Sequence, residues 1–144
     1  QSGKYSSVEM GKGGGYVAIE KSTARHKPEE LEAARILADK GYKVTLKNEA
    51  GLGHKVKTPD GYLFSASFEQ RTPKGNTDIN IRSSLYHVRD KKADVPVLYM
   101  KGSGHTRQSV ENGIRAFENA SKYRFKQIIV VTEDGRIHRH KHNK

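Results

Sequence analysis

The sequence predicts an α/β domain in which helices flank a mixed central β-sheet. Segments with helical periodicity alternate along the chain with short segments rich in β-branched and aromatic residues. The chain has 144 residues, a length that suits one domain. Hydrophobic residues make up 33% of it and gather in several short runs, so we expect a modest core.

The N-terminal segment differs in composition from the rest of the chain. Residues 1–15 end in GKGGG, which is typical of a flexible linker. We therefore expect a flexible lead over residues 1–15 and a single domain over residues 16–144. The domain would begin with the short strand YVAIE.

The first long element is a helix over KPEELEAARILADKG. Pro28 suits the first helical turn, the carboxylates of Glu29 and Glu30 suit its positive end, and Gly41 suits its stop. Glu30 shares a helical face with Ala34 and Leu37, so we expect it at the edge of the buried face, near the helix start.

Alternation predicts a strand over GYKVTL and another over GYLFSASFEQ. In the second, Glu69 and Arg71 share one face, while Tyr62 and Phe64 lie on the other and are expected in the core. The rest of the chain predicts, in order, a helix over TDINIRSSLYHVRDKK capped by Thr77, a strand over DVPVLYM, a helix over GHTRQSVENGIRAFENASKYR, a strand over KQIIVVT, and a last strand, RIHRHKHNK, that fades into a basic tail.

The composition restricts the partners and the chemistry. The formal net charge is +11, which favours phosphate-rich partners through counterion release and also favours an acidic protein partner. There are no cysteines, so disulfides and cysteine-ligated zinc are excluded. No apolar run approaches the roughly 20 residues of a membrane-spanning helix.

The segment KTPDGYLFSASFEQRTP carries the candidate catalytic residues. Asp60 precedes the strand, Glu69 and Arg71 lie near its end, and Glu30 is available from the first helix. Carboxylates around a divalent cation activate a nucleophile in phosphodiester cleavage, and a nearby cation offsets the phosphoryl charge. Arginine stays protonated, so Arg71 would stabilise charge rather than act as a base. The alternative reading of the same residues is an Asp-Gly turn and a surface ion pair.

Histidines and basic residues offer a second set of candidates. A metal-independent ribonuclease would use histidine as acid and base, and His54, in the loop before KTPD, is the histidine expected nearest the site. For each of the seven histidines a surface or packing role is the default. Contacts to a nucleic-acid backbone are expected from Lys57, Arg82, Arg89, Arg139 and Lys141.

The ordered segments PEELEAARILADKGYKV, KTPDGYLF and FEQRTP resemble the CdiA C-terminal tRNase domain family. These are toxin domains of contact-dependent growth inhibition and related polymorphic toxin systems, with a fold similar to that of PD-(D/E)xK nucleases. The resemblance covers roughly residues 16–140. It places Glu30 on the family's helix glutamate, with Glu29 as a competing alignment, Asp60 on the aspartate of its TPD, and Glu69 on the glutamate of its E-x-K element. Arg71 stands where the family has lysine, a departure from the pattern.

This resemblance implies a toxin endoribonuclease that cleaves tRNA in the cytoplasm of a target bacterium. Such a domain is delivered as part of a larger effector and is neutralised by a cognate immunity protein, which we expect to be acidic. The resemblance further implies a divalent metal ion, Mg²⁺ before Mn²⁺ or Zn²⁺, held by Asp60, Glu69 and Glu30; a metal-independent mechanism is the alternative. The sequence leaves the oligomeric state open, and a monomer is the default expectation. Two other functions stay open, a DNA endonuclease on the same fold and an inactive nucleic-acid-binding module.

Overall fold

The computed structural model of the chain describes residues 5–20, 28–47, 61–75 and 77–141. Within those ranges the chain forms eight strands and three helices. In chain order they are β1 Tyr5–Met10, β2 Tyr16–Glu20, α1 Pro28–Asp39, β3 Lys43–Leu46, β4 Gly61–Leu63, β5 Ala66–Arg71, α2 Asp78–Asp90, β6 Val95–Tyr99, α3 Arg107–Ser121, β7 Gln127–Val131 and β8 Ile137–Lys141.

All eight of these strands belong to one mixed sheet, in the order β1-β2-β3-β4-β5-β6-β7-β8. The pairs joined through a helix, β2–β3, β5–β6 and β6–β7, are parallel, and the other pairs are antiparallel. The α/β class with a mixed central sheet is therefore confirmed. No helix in the described part of the chain is long and apolar enough to span a membrane.

The N-terminal segment belongs to the sheet. β1 pairs antiparallel with β2, from Met10 opposite Tyr16 to Tyr5 opposite Glu20. Gly14, with φ +91°, lies in the turn between the two strands, in a backbone conformation that favours glycine. The prediction of a flexible lead over residues 1–15 is therefore wrong for residues 5–15, because glycines that are typical of a linker serve here as a hairpin turn.

The segment GYLFSASFEQ is a hairpin and not one strand. β4 ends at Leu63, Phe64 adopts a left-handed conformation with φ 55°, and β5 begins at Ala66. The reversal brings Tyr62 opposite Ser67. Because directly opposed residues point to the same face, Tyr62 lies on the face of Ser67, Glu69 and Arg71, contrary to the sequence prediction.

The helices cover the two faces of the sheet separately. Buried residues of α1, including Ala34 and Leu37, pack against Phe68 and other side chains on one face. α2 and α3 pack with Leu98 and Ile128 on the other face. Alternation along β5 therefore sends Phe68 and Gln70 toward α1, and Glu69 and Arg71 toward α2.

The predicted start and stop signals of α1 and the predicted N-cap of α2 are confirmed, whereas α3 is three residues shorter at each end than predicted. α1 begins at Pro28, and Gly41, with φ +99°, follows its last turn. Thr77 is the N-cap of α2, where its backbone N–H donates to Asn80 Oδ1 at 3.2 Å. These ends fix α2 above β5 and β6, which is the packing that brings a side chain of α2 to Glu69.

Candidate functional site

The candidate site is built on β5, between its antiparallel neighbour β4 and its parallel neighbour β6. The start of β5 is fixed to the start of β6, because the Ser67 backbone N–H and hydroxyl both donate to Asp94 Oδ2 at 3.1 Å. Glu69 follows two residues later on the same face, and its side chain is only 5% exposed. A carboxylate this deeply buried is costly to ionise unless partners compensate for the lost water.

His87 of α2 is one partner of this carboxylate. Its Nε2 lies 3.3 Å from Glu69 Oε2, and since an ionised carboxylate only accepts, a hydrogen bond between them requires a proton on Nε2. The His87 side chain is 37% exposed, in contrast to the buried glutamate. The pair thus joins a buried carboxyl group to an imidazole that solvent reaches, and the contact fixes the orientation of the ring.

Arg71 adds a cation to the same face. It ends β5 and lies beside Leu98 of β6. Its Nε is buried and has no hydrogen-bond partner among the residues that the structure describes. A buried guanidinium donor without an acceptor is costly, and an incoming anion would satisfy it.

Tyr62 and Lys47 extend this face away from α2. Tyr62 is 37% exposed, and the Lys47 ammonium lies 5.5 Å from the centre of its ring. Phe64, at the turn, is 59% exposed. Both aromatic residues were expected in the core, and both are surface residues because the hairpin replaces the single predicted strand.

The other predicted site residues are placed as follows. α1 packs on the face of the sheet opposite the Glu69 side chain, so Glu30 and the Glu69 side chain are on opposite sides of the sheet. Asp60, His54 and Lys57 lie outside the described residues. Within residues 5–20, 28–47, 61–75 and 77–141, no three His, Asp or Glu side chains are grouped so that they could hold a metal ion.

The predicted backbone-binding residues fall in two places. Arg82 and Arg89 are on α2, the helix of His87, and the Arg89 guanidinium lies over the ring of Tyr86 at 4.8 Å. Arg139 and Lys141 are on β8, the strand at the far edge of the sheet. The basic residues therefore do not form one patch on a single element.

A separate polar cluster lies at the carboxyl end of β6, on the α1 face. Glu32 accepts hydrogen bonds from Lys101 Nζ at 2.8 and 2.9 Å and from Tyr99 Oη at 3.0 Å. These donors, Lys101 first and Tyr99 second, lower the pKa of the Glu32 carboxyl. Every member has a charged or hydrogen-bonding partner, which suits a contact that fastens the start of α1 to the sheet.

Sequence reasoning did not select His87, for which a surface or packing role was the default. A signal for it exists in α2. Asn80, Ser84, His87 and Lys91 recur at helical spacing beside the apolar stripe of Ile81, Leu85 and Val88. Ser84 of this polar stripe is buried, with its hydroxyl donating to the Asn80 carbonyl at 3.0 Å. A stripe of polar residues beside the buried face of a helix indicates that the strand on which the helix packs also carries polar side chains.

No protein-family model matches the sequence, and no curated protein matches it either. One solved structure with a similar fold is the CdiA-CT/CdiI toxin and immunity complex from Burkholderia pseudomallei. The TM-score is 0.66 at 22% sequence identity, and the match covers 90% of this chain and 100% of that chain. The chain has a CdiA-CT toxin-like fold.

Proposed function

We propose that this domain is a toxin endoribonuclease that cleaves tRNA inside a target bacterium, with His87, Glu69 and Arg71 in its active site. The observation that carries the proposal is the contact of 3.3 Å between the buried Glu69 carboxylate and the half-exposed His87 ring. The contact occurs in a chain whose fold is similar to that of a chain in a toxin and immunity complex. We also propose that the domain is related to PD-(D/E)xK nucleases. This part of the proposal rests on Asp60, Glu69 and Arg71, which follow one another along the chain as the motif residues do.

RNA is the substrate that this set of groups suits best. The ribose 2′-hydroxyl supplies the nucleophile within the substrate, so cleavage needs a base for that hydroxyl, an acid for the leaving oxygen and a cation for the phosphoryl charge. His87 would take the proton of the 2′-hydroxyl as the new P–O bond forms and would return a proton to the leaving oxygen as the old P–O bond breaks, because its ring is accessible and histidine titrates near neutral pH. Arg71 would offset the charge that develops on phosphorus.

Glu69 would act through His87. Its side chain is 5% exposed, so the substrate has little access to it, whereas it lies within hydrogen-bonding range of the imidazole. A buried carboxylate in this position fixes the tautomer and orientation of the histidine and stabilises its protonated form. Glu69 is a positioning residue in this mechanism, and its burial is the stability cost of that role.

A divalent cation is the alternative way to use the same carboxylate. Mg²⁺ in phosphoryl-transfer sites is commonly held by one or two carboxylates together with water and the substrate phosphate. Glu69 supplies one carboxylate, and Asp60, which immediately precedes β4 in the sequence, would supply another. When bound, the ion would supply Lewis-acid stabilisation of the phosphoryl group. Glu30 is left out of this ligand set because α1 packs on the opposite face.

The charge of the chain supports the proposed partners. A formal net charge of +11 attracts a polyanion such as tRNA and equally an acidic protein. The similar solved structure is a complex of a toxin with an immunity protein. We propose an acidic immunity protein as the partner of this chain, with binding that weakens as the salt concentration rises.

The test is cleavage of total bacterial tRNA by the purified domain, with Mg²⁺, Mn²⁺, Zn²⁺ or EDTA, beside His87→Ala and Asp60→Ala. We expect discrete fragments from the unaltered domain and a loss of at least about 100-fold in His87→Ala, the usual size of acid–base catalysis. Asp90→Asn is the matched control, because it removes an exposed charge from the same helix.

The outcomes separate the mechanisms. Fragments that persist in EDTA and need His87 would support the histidine mechanism, and fragments that need metal and Asp60 would support the cation mechanism. Cleavage of duplex DNA in preference to tRNA would show that the substrate assignment is wrong. Binding of tRNA without cleavage under every condition, by a protein shown to be folded, would leave a binding module.

A further inference from the structure

A cleft of about 330 Å³ lies between the start of α3 and the edge strand β8, and the proposed active site does not use it. α3 contributes Arg107, Val110 and Ile114, and the segment before it contributes His105. β8 contributes His138 and His140, which stand opposite Val130 and Ile128 of β7 and so point to the α3 face. The two histidines therefore share one face of β8.

The cleft is separate from the Glu69 site. α2 packs over β5 and β6, whereas the cleft is lined by residues of α3, β7 and β8 and of the segments that adjoin them. Both lie on the same face of the sheet, on either side of the contact between α2 and α3.

His105, which lines the cleft, has a ring nitrogen, Nε2, with no hydrogen-bond partner among the described residues. Ser109 Oγ accepts from the Thr106 N–H and has a single proton; when it donates that proton to the Thr106 carbonyl at 3.0 Å, the contact of 2.9 Å with His105 Nδ1 is made by a proton on Nδ1. Nε2 of the neutral ring is then an acceptor, and it is buried with no hydrogen-bond partner in the described part of the chain. Burial also lowers the pKa of His105, which favours this neutral form.

The remaining lining combines an apolar floor with a polar rim. Val110, Ile114 and Val130 are side chains of the core cluster beneath α3. Arg107 stands at the rim, largely exposed and 3.3 Å from Glu111. An apolar floor with a few convergent polar groups is the composition of small-ligand sites, and the volume is at the small end of their range of about 300–1,000 Å³.

We infer that this cleft binds one nucleobase of a nucleotide, flat against the apolar floor, with a base or ribose donor group on His105 Nε2. A base offers the two features that the cleft requires, an apolar face and N–H donors at its edge. The inference deepens the proposed function, on which it rests for the source of the nucleotide. In an RNA substrate the cleft would hold a base away from the cleaved bond and so position the strand.

The experiment is a titration of the domain with AMP, CMP, GMP and UMP, followed by NMR of the methyl groups of Val110, Ile114 and Val130 and of the His105 ring. Ribose 5-phosphate and inorganic phosphate are the control ligands. We expect saturable shifts at these groups with at least one nucleotide, and at least tenfold weaker binding of both controls. His105→Leu, which removes the acceptor and retains an apolar side chain, should weaken nucleotide binding at least fivefold.

The same titration of His87→Ala keeps this inference apart from the proposed function. Nucleotide binding by His87→Ala equal to that of the unaltered domain is the expected result, because His87 is outside the cleft. Absence of shifts at 10-fold excess over about 1 mM protein would overturn the inference even if tRNA is cleaved. Equal shifts with inorganic phosphate alone would show that the cleft binds an anion and not a nucleobase, and would also overturn the inference. If His105→Leu fails to fold, the inference is still tested by comparing the shifts that nucleotides and the control ligands cause in the unaltered domain.

Discussion

The two faces of β5 differ in what they bury. Toward α1 the strand presents Phe68 and the neutral amide Gln70, whose Nε2 donates to Thr72 Oγ1 at 2.6 Å. Toward α2 it presents Glu69, which is buried beside His87, and Arg71, whose Nε is buried. Neutral residues on the first face cost little to bury, whereas each charged group on the second face carries a desolvation penalty.

This difference separates stability from function within one strand. A glutamine at position 69 would have a similar shape and would carry no charge to desolvate. The sequence instead places a carboxylate there, where α2 supplies a histidine for it. The α1 face therefore serves mainly the stability of the fold, and the α2 face carries the charged side chains that the proposed function uses.

The sharpest test of the comparison is Glu69→Gln. We expect tRNA cleavage to fall by about 10²–10⁴-fold, because the amide does not stabilise protonated His87 and does not enforce its tautomer. The free energy of unfolding should fall by less than about 1 kcal/mol or should rise, because a buried charge is removed. Cleavage rates and thermal unfolding of the same samples check both parts.

The control for Glu69→Gln is Asp90→Asn, an exposed acid at the end of α2. It should leave cleavage and stability nearly unchanged, since exposed pairs contribute little. If Glu69→Gln instead unfolds the domain and leaves the activity per folded molecule intact, Glu69 is a structural residue and the comparison between the two faces is wrong.

The matching test on the α1 face is Leu37→Ala. Leu37 is fully buried in the cluster with Phe68 and Val97, so the change leaves a cavity that the neighbours only partly fill. We expect a loss of about 2–5 kcal/mol in the free energy of unfolding, as for other buried leucines. Activity per folded molecule should change by less than about threefold, measured below the unfolding transition. A selective loss of activity in a stable Leu37→Ala protein would show that the α1 face also shapes the site.

The sequence predicts most of the fold because its strongest signals are local. Helices α2 and α3 follow from caps and periodicity, and β7 from an unbroken apolar run. The hairpin at Phe64 was missed because the turn uses two residues, neither of them glycine, and leaves the alternation of the sequence undisturbed. β1 was missed because this edge strand forms by pairing with β2, and the composition of residues 1–15 does not reveal that pairing.

The site was predicted in part for a similar reason. The shared face of Glu69 and Arg71 follows from the period of a strand and is confirmed by β5. The contact between His87 and Glu69 joins residues 18 positions apart on different elements, and it depends on how α2 lies across β5. Packing geometry of this kind is set by the whole core, so neither local spacing nor residue type reveals it.

The smallest expected effect concerns the contact that fastens α1 to the carboxyl end of β6. Lys101 and Tyr99 hold the pKa of Glu32 below its ordinary value. A lowered pKa in the folded state adds stability that is present above the unfolded value and is lost as the pH falls through the folded value. Glu32 and Lys101 are 35% and 41% exposed, so solvent screening keeps the contribution small.

Midpoints of thermal unfolding at pH values from about 7 down to about 3 should therefore fall slightly more steeply for the unaltered domain than for Glu32→Gln, and the two should converge at the acid end. Parallel curves would mean that the contact adds nothing to stability, and that the α1 face depends on its apolar core alone.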